Sequence, residues 1–167
     1  MFSAIVYKST TGSCKKYADL LSARLHIPAF PLGKEYIPAD TKIIYVGWLF
    51  AGKIMGYDKA AKKYDIGAVV QVGMSPVSAK SEEVCREKNA VCADVPVFTR
   101  QGAFNINKLP PHFRFIMKIK NKEIEARFEG KENLSDAQKA TYKMASTGVG
   151  EPPCWCVDDI VKWCAEH

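Results

Sequence analysis

Six consecutive small residues near the N-terminus, Ser9, Thr10, Thr11, Gly12, Ser13 and Cys14, place four hydroxyls and one thiol in a single short run. The apolar Ile5, Val6 and Tyr7 precede them, and Tyr17, Leu20, Leu21 and Leu25 follow at helical spacing. The pattern reads as strand, loop, helix, with the hydroxyls at a helix N-terminus. The first N–H groups of a helix lack intrahelical partners and carry the positive end of the dipole, so an anion there collects hydrogen bonds and favourable field together. Hydroxyls add donors that need no counter-charge, and Gly12 lets the backbone approach closely. The run therefore suits a phosphate held without lysine or arginine in the loop. It lacks both the GKS or GKT ending of a P-loop and the three glycines of a dinucleotide fingerprint. A helix capped by Ser or Thr is the plainer reading, and spacing alone does not choose between them, although four hydroxyls in five residues exceed what a cap requires.

The elements that must position this loop follow from alternating signals. Short apolar runs at 29–32, 42–50 (KIIYVGWLF), 68–73 and 95–98 read as further strands. Helical segments lie near 57–64 and 79–88, and Val157, Ile160, Val161 and Cys164 give a last amphipathic helix. Strands alternating with helices imply an α/β fold with a parallel sheet covered on both faces. The 167 residues make one domain of ordinary size, 1–167, with globular hydrophobic and charged fractions of 47% and 25%. No apolar run approaches the roughly 20 residues of a membrane span. A strand beginning at Phe2 leaves no signal peptide, so a cytoplasmic location and six reduced thiols are expected.

Charge is distributed unevenly. Between Asp94 and Glu123 there is no other carboxylate, while Arg100, Lys108, Arg114, Lys118, Lys120 and Lys122 carry the whole net charge of +6. Within this stretch HFRFIMKIK (112–120) reads either as a helix, with Phe113, Ile116 and Met117 on one side, or as an alternating strand. Either form makes 100–122 a basic, apolar segment suited to an anionic or membrane surface, or to nothing more than a solvated face. Nucleic acid is disfavoured, because no recognition motif accompanies the charge. The polar run KENLSDAQKAT reads as an exposed helix with Ser135 as N-cap. Cys154 and Cys156 form a CWC without a second ligand pair at metal-site spacing. A helix N-terminus lowers a thiol pKa, which makes Cys14 a candidate for activation unless a phosphate sits opposite. The three histidines are scattered, and no hydrolase triad or metal site assembles.

Ile5, Val6, Tyr7, Ser9, Gly12, Ala18 and Leu21 fall on a pattern that closely resembles the phosphate-loop signature of flavodoxins. The signature's final threonine is Cys14 here, a weak donor, which implies an affinity loss on the order of 1 kcal/mol. The resemblance implies a flavodoxin-like three-layer sandwich, a five-stranded parallel sheet of order 2-1-3-4-5 with helices on both faces, and bound FMN. Ligand loops then converge at the carboxyl ends of the strands. The resemblance implies that Ser9 to Cys14 would hold the phosphate, and that Trp48, Leu49, Phe50, Ala51 and Gly52, with Gly73, Met74 and Ser75 and with Gly102, Ala103 and Phe104, would border the ring. Trp48 or Phe50 is expected to stack on the ring, with plain core packing of Trp48 an equal alternative. No aromatic stands near Met74, where flavodoxins commonly have one.

Gly102, Ala103 and Phe104, followed by the FRFIMKIK segment before the last helix, look like the menaquinone-dependent protoporphyrinogen dehydrogenase branch, with an insert around 105–150. The resemblance implies an FMN-dependent oxidoreductase or electron carrier whose partner is a redox protein or a quinone. The alternatives are a quinone-linked dehydrogenase peripheral to the inner face of the membrane, and a flavodoxin fold that has lost FMN and serves as a binding module.

Overall fold

A computed structural model describes residues 1–76 and 78–167. β1 (Ala4–Lys8), β3 (Lys42–Phe50) and β5 (Asp65–Gly73) form the centre of a mostly parallel sheet, with β2 (Ala29–Pro31) and β6 (Val97–Gln101) beside them. Their β-branched and aromatic side chains suit a pleated surface buried on both faces, which is why these runs are almost continuously apolar.

The sheet departs from the expected five strands. It has six, in the order β2-β1-β3-β5-β6, with the two-residue β4 (Lys53–Ile54) paired antiparallel to the end of β3. Ala51 and Gly52 make the two-residue turn between them, with φ of 51° and 83°. Positive φ at both turn positions matches the twist of a hairpin. A non-glycine residue pays strain there, so Ala51 gave no turn signal.

Two apolar clusters lie against the two faces. On one, α1 (Ser13–Leu25) and α6 (Asp158–Glu166) pack Tyr17, Leu21 and Ile160 against Ile5, Ile44 and Val70. On the other, α2 (Tyr57–Ala61) and α3 (Ala79–Asn89) cover Val6, Tyr45 and Val69 through Tyr57 and Cys85. A mixed α/β protein with helices on both sides of its sheet results.

Beyond β6 the chain makes a separate excursion. β7 (Phe104–Asn105) pairs antiparallel with β8 (Val149–Gly150), so the chain leaves and returns at one place. Between them run α4 (Pro111–Phe128) and α5 (Asp136–Thr147), packed on each other. The segment 112–120 is thus helical. Pro111 stands at the first helical position, where its missing N–H costs nothing. Ser135 caps α5 through a reciprocal bond pair with Gln138. α5 is only partly exposed: Thr141, Met144 and Ala145 are buried. Met144, Phe104 and Leu109 form a third small core, with Met74, Phe113 and Met117 packed against it.

Candidate functional site

Gly12 precedes the first turn of α1 with φ of 104° and no side-chain cap. The earliest helix N–H groups therefore face the loop without a capping acceptor. Ser9 Oγ is buried beside them and has no hydrogen-bond partner among the described residues. A buried hydroxyl without a partner is costly and calls for an occupant. Ser13 behaves differently. Its hydroxyl is committed, donating to Ala103 O at 3.0 Å, and Tyr17 Oη donates to Gln101 O at 2.8 Å. These two bonds fasten α1 to the end of β6. Gly102 is needed at that junction, because a Cβ there would come within 2.6 Å of Val72 and 2.9 Å of Ser13.

A cleft of about 550 Å³, its open mouth included, runs from this loop across the carboxyl ends of β3, β5 and β6. Ser9, Thr10, Thr11, Ser13 and Cys14 line one end. Trp48, Leu49, Phe50, Gly73, Met74, Gly102, Ala103 and Phe104 form its walls. Gly12 faces an adjoining groove beside Lys16 and Lys108, while Ala51, Gly52 and Ser75 line a neighbouring cavity under α3 and α4. Thirteen of the seventeen residues expected from the sequence thus share the main cleft.

Val72, Leu109, Phe113 and Met117 line it as well. Phe113 meets Phe50 edge-on with ring centroids 4.6 Å apart and Trp48 at 5.3 Å. α4 therefore supplies a further aromatic to the cleft from outside the sheet, packed on those of β3. Phe113 and Met117 carried only the helix-or-strand pattern, and nothing in the sequence placed that element over the cleft. Trp48 packs against the core and also walls the cleft, with a buried Nε1–H that has no acceptor among the described residues.

The Met74 loop is held by a buried polar group. Gln101 Nε2 donates to Met74 O and to Thr141 Oγ1, both at 2.8 Å, and Thr141 Oγ1 itself lies 2.8 Å from Met74 O. α5 thereby fixes one wall of the cleft.

The expected activation of Cys14 does not occur. Burial raises its thiol pKa far above the ordinary value, and the hydrogen bond from its own backbone N–H offsets only part of this. Among the described residues no three His, Cys, Asp or Glu side chains gather as a metal site, and no helix is long and apolar enough to cross a membrane. No protein-family model, curated protein or solved structure matches the chain.

Proposed function

We propose that this protein is a flavodoxin-like redox protein that binds FMN non-covalently and passes electrons or hydride between a donor and an acceptor. The observation that carries the proposal is the unpartnered Ser9 hydroxyl, buried next to an uncapped helix N-terminus at one end of an aromatic-walled cleft.

The residues present fit the group. Ser9, Thr10, Thr11 and the first N–H groups of α1 would hold its phosphate, in keeping with hydroxyl and amide donors at a helix start. Trp48, Phe50, Met74 and Phe104 would border the ring, and the free Trp48 Nε1–H is a donor toward ring or ribityl oxygens. FMN supplies the electron-accepting ring chemistry itself. The protein contributes a rigid sheet edge, an apolar wall that excludes water, and Phe113 with Met117 across the cleft, which must give way to admit a planar ring. No side chain is assigned as acid, base or nucleophile.

Titrating apo-protein with FMN while following flavin fluorescence and absorbance tests this. Saturation at one FMN per chain supports the proposal. An unchanged spectrum up to about 100 µM FMN, near −5.5 kcal/mol, overturns it.

The surface of α4 favours a second reading, a quinone-linked dehydrogenase of the protoporphyrinogen type at an anionic membrane. Phe115, Ile116 and Ile119 are 68%, 39% and 51% exposed, among the exposed Lys118, Lys120 and Lys122. Apolar side chains flanked by lysines suit insertion at a lipid interface. Reduction of the bound flavin by a porphyrinogen, with a quinone as acceptor, would separate this reading from a general electron carrier.

A further inference from the structure

We propose that Cys154 and Cys156 form a second redox site, a dithiol that closes reversibly to an intramolecular disulfide by exchange with low-molecular-weight disulfides.

The two cysteines stand one residue apart in the irregular segment before α6, and both are exposed. Between them Trp155 turns the other way. Its ring lies 5.0 Å from that of Tyr17 and beneath Lys16 Nζ at 3.9 Å, and it lines the groove beside Gly12. Cys154 and Cys156 instead line a different groove together, with Pro153, Arg100 and Asp159. Alternation of this kind puts side chains i and i+2 on one side of the chain. Tyr17 lines the same groove, and its ionisation is opposed chiefly by burial, which the Arg100 charge partly offsets.

The Cys156 end of the pair is held in place. Arg100 Nε donates to Cys156 O at 2.9 Å, its Nη1 donates to Thr99 O at 2.7 Å, and its remaining nitrogen pairs with Asp159. The Trp155 anchor holds the other side. Two residues of chain span at most about 7 Å, the upper end of the Cα range a disulfide bridges, and side chains alternating along extended chain stand farther apart than the roughly 4 Å between Cβ atoms of a disulfide, so closure swings Cys154 toward the held Cys156. The remaining thiols are placed for other ends. Cys14 and Cys85 are buried, Cys164 is half-buried, and Cys92 is exposed on a separate loop.

In the reaction one thiolate of the pair attacks a sulfur of the external disulfide, forming a mixed disulfide and releasing one thiol. The second cysteine, having given up its proton to solvent, then attacks the mixed disulfide and expels the second thiol. The protein loses two electrons and two protons, and the external disulfide becomes two thiols. A ring closed across one intervening residue, exposed to solvent, belongs with the labile disulfides that ordinary dithiols reopen.

The test is incubation of the full chain with glutathione disulfide, followed by peptide mass mapping and Trp fluorescence. Wild type should lose two hydrogens in the 154–156 peptide, carry no glutathione there, and recover on treatment with dithiothreitol. Cys154→Ser and Cys156→Ser should each retain one glutathione at the surviving cysteine, as Cys92 does in every variant. Stable glutathione on Cys154 or Cys156 of wild type overturns the proposal, because the second thiol then fails to resolve the first. Unreactive thiols at both positions, with Cys92 modified in the same sample, overturn it equally.

Discussion

Cys14 is where the hydroxyl run ends and the core begins. Its side chain is buried and also lines the cleft at the start of α1, and burial keeps the thiol protonated. A threonine hydroxyl at this position would be a better donor to a phosphate but an unmatched polar group without one. Cys14→Thr should therefore lower apo-protein stability by about 1 kcal/mol and tighten FMN about fivefold, each worth roughly one hydrogen bond. Thermal melts with and without FMN check both signs. Glu35 shows a purely structural use of charge. Burial of its carboxyl opposes ionisation, but its own backbone N–H, Lys63, Tyr64 and the Gly33 N–H donate to it and outweigh burial, holding the pKa at about 2. With an unfolded value near 4.5, this stabilisation is complete above pH 4.5 and lost as pH falls toward 2. Denaturant midpoints of wild type should fall across that window, and those of Glu35→Gln should fall less.

At the scale of elements, the hydroxyl-rich loop and the first helix were legible because local chemistry dictates them: small polar residues at a helix start, then a periodic apolar face. The segment 112–120 was not, since a nine-residue window satisfies both periods. The longer run through Phe128, opened by Pro111 and continued by good helix formers such as Lys122, Glu123, Glu125 and Arg127, decides it. β4 was missed because Ala51 occupies a turn position that glycine or asparagine usually fills. The role of α5 was hidden for another reason. Its polar sequence gave no sign that Thr141 reaches the Met74 carbonyl, a contact set by tertiary packing. Thr141→Val keeps the shape and removes the hydroxyl that bridges α5 to the Met74 carbonyl, while Gln101 Nε2 keeps Met74 O and Ala137 O as acceptors. It should cost about 1–2 kcal/mol of stability and weaken FMN binding severalfold by loosening the cleft wall. Urea denaturation and FMN titration of the same variant check this.

Over the whole molecule, a good part of the excess positive charge and the exposed Phe115, Ile116 and Ile119 meet on α4, which also carries Phe113 over the cleft. One helix thus joins the outer surface to the candidate site. Phe115→Ser with Ile119→Ser changes only exposed positions, so stability should stay within about 0.5 kcal/mol. Binding to vesicles containing anionic lipid should fall at least fivefold, read by co-sedimentation against neutral vesicles. Equal binding by wild type and variant would leave α4 an ordinary solvated face. The alternation of strands and helices made this architecture readable, whereas the packing of the excursion between β7 and β8 depends on contacts distant in sequence. The central claim is that the Ser9 to Cys14 loop holds the phosphate of a flavin, and comparing FMN with riboflavin on the same apo-protein tests it most directly. FMN should bind at least about tenfold more tightly, a difference of 1.4 kcal/mol or more, and the advantage should shrink in Ser9→Ala. Equal affinities for the two flavins, or a preference untouched by Ser9→Ala, would contradict the account.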